Sequence, residues 1–287
     1  MPNFQVDMHV HSHYSDGADS PRDVVRKAKE AGLKAVCLTD HDVFHGLPEF
    51  EAARAEFEID GLTGIEVSTY GRGETLHMLG YGIDYQGSAA GLLTISLSNN
   101  WLALNNRIET ALEQYRRAGI MDVTPEEFQR AVGAKGPAYF KLWLRNYRTR
   151  FGHVSMEQAK QETNRGGVAD ANYKKELLLK PIDAINLLHA VGALAVWAHS
   201  GKLLRKNPAL YRTILLDMVE AGLDGLELSH QHNQGLEEEV ADYARKAHLF
   251  TTGGADYHGR HKPNVNLGDH GISYSEFMKI KQLLPNQ

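Results

Sequence analysis

The chain has 287 residues, 42% of them hydrophobic, and a formal net charge of −5. That is material for one α/β barrel or two small domains with a sizeable core, and the slightly acidic balance argues against a general nucleic-acid binder. The sequence does not open with a basic region followed by an apolar run and has no apolar stretch of about 18 residues, so the expectation is a cytoplasmic protein that does not enter a membrane.

The first predicted element is a strand. Phe4, Val6, Met8 and Val10 alternate with polar residues, which places Asp7, His9 and His11 on the opposite face. Two imidazoles at i and i+2 on one strand face can reach one metal ion, and Asp16 follows where the strand ends. Ser20-Pro21 then opens a helix as cap and first residue, Val24, Val25, Ala28 and Ala31 give it an apolar face, and Gly32 ends it. A second strand leads into Thr39-Asp40-His41-Asp42, a polar cluster at a strand end, where α/β enzymes place their chemistry. The single cysteine, Cys37, lies inside that strand and reads as a buried core thiol rather than a nucleophile.

After a helical stretch over residues 48–58, residues 62–68 read as a third parallel strand. Glu66 is flanked there by apolar neighbours, a costly place for a carboxylate unless it is paired or metal-bound, which makes it a candidate bridging ligand. Residues 76–83 read as a fourth strand carrying His77. Residues 88 to about 180 break the rhythm with helical patterns, including a Thr124-Pro125-Glu126-Glu127 capping box, and the segment is rich in cations and aromatic residues. The alternation resumes at Pro181. His199 ends one strand, residues 225–229 form another, and a last strand runs into Asp256 and His258, again at i, i+2 spacing. Candidate ligands thus gather near the C-terminal ends of strands predicted to run parallel.

These motifs resemble the polymerase and histidinol phosphatase (PHP) family of metal-dependent phosphoesterases. The resemblance rests on Asp7-x-His9-x-His11, Tyr14-Ser15-Asp16-Gly17, Thr39-Asp40-His41-Asp42, Gly64-Ile65-Glu66-Val67-Ser68, the His77 strand, Ala198-His199, and Gly254-Ala255-Asp256-Tyr257-His258. It covers about residues 4–84 and 180–270. It implies an α/β fold, a distorted (β/α)7 barrel over residues 1–87 and 180–287 with an inserted helical cap at 88–179. It also implies two to three divalent ions, Mn²⁺, Fe²⁺ or Zn²⁺. His9, His11, Glu66 and Asp256 would hold one ion, Glu66, His77 and His199 a second, and Asp16, His41 and His258 a third. Asp7 and Asp40 would orient the histidines. With Glu66 and His199 they are the residues that the resemblance implicates in catalysis.

The implied reaction is hydrolysis of a phosphate ester by a hydroxide held between the ions. Within the family the insertion resembles the cap of phosphatases acting on nucleoside 3′,5′-bisphosphates, so the expected partner is a small phosphorylated substrate, with neither duplex nucleic acid nor a membrane involved. Lys135 and Arg165 on the cap, and Lys202 and Arg260 at the barrel mouth, are the candidates for gripping its second phosphate. The chain departs from the nucleotide phosphatases at Lys135-Gly136-Pro137, where an Arg usually precedes the Pro, and at Ser200-Gly201-Lys202, where Pro-Gly-Arg is usual. Hydrolysis of a cyclic sugar phosphate therefore stays open. Metal-dependent amide hydrolysis on a similar barrel is a third reading, but the carboxylated Lys or further middle-strand His that it typically needs is not evident.

Overall fold

The computed structural model describes residues 4–132, 140–164, 166–170 and 175–284. In chain order it holds β1 (Val6–Val10), α1 (Pro21–Glu30), β2 (Ala35–Leu38), α2 (Leu47–Phe57), β3 (Gly64–Gly71) and β4 (Glu74–Tyr81). Helices α3 (Ala90–Arg117), α4 (Pro125–Val132), α5 (Phe140–Phe151) and α6 (Met156–Thr163) follow. Strands and helices then alternate: α7 (Pro181–Ala190), β5 (Leu194–Trp197), α8 (Gly201–Lys206), α9 (Pro208–Glu220), β6 (Gly225–Ser229), α10 (Glu237–Lys246), β7 (Phe250–Gly253) and α11 (Tyr274–Lys281). Among the described residues no helix is long and apolar enough to cross a membrane.

Local chemistry sets the helix boundaries. The Ser20 hydroxyl accepts the Asp23 amide ahead of Pro21, and α1 buries Val24, Val25 and Ala28. Thr124 and Glu127 exchange hydrogen bonds of 2.9 and 3.2 Å at the start of α4, and Ser273 and Glu276 form the same box at α11.

The strands form a mixed arrangement instead of the expected run of parallel ones. β1 and β2 pair in parallel, and a second sheet has the order β3-β4-β5-β6-β7. In it β4 is antiparallel to both neighbours, while β5, β6 and β7 run parallel. The reversal comes from a two-residue turn in which Arg72 (φ 50°) and Gly73 (φ 85°) are both left-handed. Such a hairpin turn fits antiparallel strands, whereas parallel pairing needs a long crossover. Isolated bridges Leu38↔Thr63 and His41↔Glu66 link β2 to β3, and Val10↔Tyr257 links β1 to the residues after β7. Among the described residues no continuous ladder joins the two sheets into a closed barrel.

Met8 and Cys37 from the first sheet share a core with Leu79 and Val196 from the second and with Phe277 of α11. A second core lies between the larger sheet and helices α7 and α9, with Trp197 stacked on Tyr211 at 4.8 Å. Helices α3, α4 and α5 have an apolar cluster of their own, including Ile108, Leu112, Tyr115, Phe128 and Leu144. Two cations of that region are committed structurally: Arg148 pairs with Glu162 at 2.8 and 2.9 Å, and Arg145 donates to Thr163 and Asn164.

Candidate metal centre

Glu66, the third residue of β3, is the hub. His9 Nε2 lies 3.0 Å, His11 Nε2 3.1 Å and His41 Nε2 3.3 Å from its Oε2. On the other oxygen, His77 Nδ1 approaches to 2.8 Å and His199 Nε2 to 3.1 Å. A carboxylate offers about four lone-pair directions, so hydrogen bonding alone does not account for five ring nitrogens around one group. Both ring nitrogens of His11, Nδ1 of His41 and Oδ2 of Asp16 are buried without a hydrogen bond. A buried set of imidazole nitrogens and carboxylate oxygens in this state has the donor chemistry that divalent cations take, and these residues fit such ions.

Four combinations place one ligand atom per residue within 4.8 Å of one another: His9, His11, Glu66 and Asp256; His11, Asp16, His41 and His258; His41, Glu66 and His77; and His9, Glu227 and His230. His199 joins the Glu66 and His77 end, with its Nε2 3.2 Å from His77 Nδ1. All nine residues expected as ligands from sequence therefore face one another. Two of them arrive differently than expected. Glu66 lies near the start of β3 rather than at its C-terminal end, and His77, on antiparallel β4 opposite Ser68, reaches the cluster from within a strand rather than from a strand end.

Backbone geometry at the strand ends aims the other ligands. Asp42 (φ 53°), His199 (φ 32°) and Asp256 (φ 58°) are left-handed, a costly conformation for residues with a side chain and one that concentrates at functional sites. Gly254 lets the end of β7 press against β1, since a Cβ there would stand 2.3 Å from the His9 amide nitrogen and from its Cβ.

Burial and charge pull against each other in this cluster. Burial would raise Glu66, but His41, His9 and His77 hold it well below the usual carboxylate range, and Asp256 is depressed in the same way by His258 and Lys262. Burial pushes His41 down to about 3 and His199 to about 4, whereas at His9 and His11 the surrounding carboxylates outweigh burial: Glu66 and Glu227 raise His9 well above the usual imidazole range, and Asp16, Asp256 and Glu66 raise His11 to about 9. Ligation requires ionised carboxylates and uncharged imidazoles, so a cation bound here would displace the protons that these carboxylates draw onto His9 and His11.

Asp7 and Asp40 direct backbone as well as side chains. Asp7 accepts the amides of His9, Ala255 and Gly268 at 3.2, 3.0 and 3.0 Å, tying β1 to the residues after β7. Asp40 accepts the Ser12 amide and the hydroxyls of Ser12 and Ser15, fixing the loop that carries Asp16. Their expected hold on the histidines thus runs through main chain and loop. The carboxylate that does hold an imidazole is Glu227: its Oε1 lies 2.9 Å from His9 Nδ1 and its Oε2 accepts the His199 amide at 2.6 Å. Glu227 and His230 were missed in the sequence, although Glu227 sits in an apolar strand as Glu66 does and His230 ends that strand as His199 ends β5.

The substrate candidates are less converged. Lys135 and Arg165 lie outside the described residues. Lys202 starts α8 and lines a cleft of about 320 Å³ together with His77, His199 and Lys206. Arg260 is exposed in the turn after His258.

The profile of the PHP domain matches residues 7–247. The chain is 29% identical over 265 residues to a phosphoribosyl 1,2-cyclic phosphate 1,2-diphosphodiesterase of Eggerthella lenta, covering 88% of this chain and 94% of that one. It is 28% identical to a 3′,5′-nucleoside bisphosphate phosphatase of Chromobacterium violaceum (92% and 90% covered) and 27% identical to a 5′-3′ exoribonuclease of Haemophilus influenzae (88% and 90%). Among solved structures, a Bifidobacterium adolescentis protein provisionally described as a metal-dependent phosphoesterase superposes with a TM-score of 0.81 at 25% identity, covering 97% and 96% of the two chains.

Proposed function

The chain belongs to the PHP domain family and is a phosphoesterase, and from that premise we propose that it hydrolyses a phosphate monoester of a small metabolite, a nucleoside 3′,5′-bisphosphate or a short nucleotide, with divalent ions held around Glu66. The observation that carries this reading is the meeting of the histidine and carboxylate cluster with the cleft at its more exposed edge, where His77 and His199 stand beside Lys202.

In this reading the fold is the family's distorted (β/α)7 barrel, and residues 88–179 are a cap inserted between its halves. His9, His11, Glu66 and Asp256 hold one ion, Glu66, His77 and His199 a second, and Asp16, His41 and His258 a third. Bound there, such ions lower the pKa of water and neutralise phosphate oxygens. The chain's own residues supply the rest: Glu227 and Asp7 fix His9 and its strand, Asp40 fixes the Asp16 loop, and Lys202 places a cation where the substrate enters. The cyclic phosphodiester reading is retained, because the Eggerthella relative of nearly equal length is named for that activity.

The test is a panel of nucleoside 3′,5′-bisphosphate, mononucleotide, cyclic sugar phosphate and aryl phosphate, run with apo-protein reloaded with Mn²⁺, Fe²⁺ or Zn²⁺. Release of inorganic phosphate fastest from the bisphosphate, with Mn²⁺ or Fe²⁺ at least as effective as Zn²⁺, is the expected result. Preference for the cyclic diester moves the assignment to the second reading, and hydrolysis of none of the four ends both.

A further inference from the structure

His230 is 1% exposed and stands between the metal cluster and a group of histidines outside it. Its ring lies 5.4 Å from that of His199, 5.9 Å from His9, 5.2 Å from His232 and 6.3 Å from His270, measured between centroids. Its two nitrogens have unequal surroundings. Nδ1 accepts the backbone amide of His232 at 3.0 Å, closing the turn that follows β6, while Nε2 is buried with no hydrogen bond. The nearest carboxylate oxygen, Asp256 Oδ2 at 3.8 Å, is beyond hydrogen-bond reach and is taken by Lys262 Nζ at 2.7 Å.

That arrangement fixes where the ring proton resides. An imidazole nitrogen that accepts an N–H keeps its lone pair for that bond, so the proton is on the other nitrogen. Nε2 of His230 therefore carries hydrogen and has no lone pair to give a cation. The combination of His9, Glu227 and His230 is also committed elsewhere, since Glu227 Oε1 faces His9 Nδ1, Glu227 Oε2 accepts the His199 amide, and His9 Nε2 faces Glu66.

We propose that His230 is a catalytic residue and not a metal ligand: the buried, unpartnered Nε2–H beside Asp256 meets the substrate by donating a hydrogen bond to a phosphoryl oxygen. This rests on the phosphoesterase reading for the identity of its acceptor. The group suits the task because a donor fixed by the fold and shielded from water stabilises charge developing on that oxygen without reorganising. The His232 amide is what aims it, so the turn after β6 is part of the site.

Two substitutions separate the two sides of the ring. His230→Asn keeps an acceptor near the Nδ1 position and removes the Nε2 donor, whereas His230→Gln can bring an amide N–H towards the Nε2 position. Each variant is loaded with Mn²⁺ and compared with wild type in bound metal by elemental analysis, in inorganic phosphate affinity by calorimetry, and in kcat and KM for an aryl phosphate. The expected result is unchanged metal content in both. His230→Asn loses about 10²–10³-fold in kcat, the range for removing one such donor, and binds inorganic phosphate more weakly, while His230→Gln recovers part of both. Loss of metal in His230→Asn would make His230 a ligand and overturn the proposal, as would full metal content with kcat and phosphate affinity within twofold of wild type. If wild type hydrolyses no phosphate ester, the functional reading fails by itself. The calorimetric difference between wild type and His230→Asn still decides whether Nε2–H binds a phosphoryl oxygen.

Discussion

Asn100 is fully buried in α3 and ties three segments together. Its Nδ2 donates to Asp42 Oδ1 and to the Ser68 carbonyl, both at 2.7 Å, and its Oδ1 accepts the Leu179 amide at 3.0 Å. Asp42 is the left-handed residue next to His41, and the same Oδ1 accepts the Ser68 amide at 2.9 Å. Asn100→Ala removes all three contacts and leaves a carboxylate oxygen, a carbonyl and an amide short of a partner. Each such buried group costs about 1–3 kcal/mol. The three share one cavity and relax together, so the expected loss is about 3–5 kcal/mol rather than the full sum. At about 2–4 °C per kcal/mol for a chain above 150 residues, Tm should fall by about 6–20 °C. Because Asp42 then loses a donor that helps hold its strained backbone, retention of metal at the His41 end should weaken as well. Urea unfolding gives the stability change and elemental analysis after dialysis gives the metal. A loss below about 1 kcal/mol with full metal retention would refute the idea that α3 braces the His41 loop.

Three further outcomes follow from the centre and the core. Exhaustive chelation should abolish phosphoesterase activity, and Glu66→Gln should lose metal and activity together, because its one carboxylate stands among five imidazoles; activity that survives chelation would exclude metal chemistry. The Cys37 thiol is buried and its pKa is pushed up to about 12 by that burial, so it should not react with a thiol reagent at neutral pH until the chain is unfolded, and stoichiometric labelling of the native protein would contradict its place in the core.

Much of the candidate centre was legible because its chemistry is written in short range. His9 and His11 on one strand face, Asp256 and His258 at the same spacing, and a carboxylate among apolar neighbours at Glu66 each break a hydrophobic pattern whose burial makes a polar residue expensive. Helix starts were legible for the same local reason, since Ser20 and Thr124 cap through bonds within three residues. The sense of β4 was decided by the Arg72-Gly73 turn, whose two left-handed residues send the chain back along β3. Which carboxylate holds which histidine was decided only by packing: Glu227 reaches His9 across 218 positions, a pairing that no local pattern encodes. The roles of Arg145 and Arg148 likewise came from the fold, because the count of cations in a helical segment is local, whereas their engagement by Thr163, Asn164 and Glu162 depends on how α5 and α6 meet. Sequence determined the residue types and their spacing along each element; tertiary structure determined which of them share a site, because convergence depends on contacts between elements far apart in the chain.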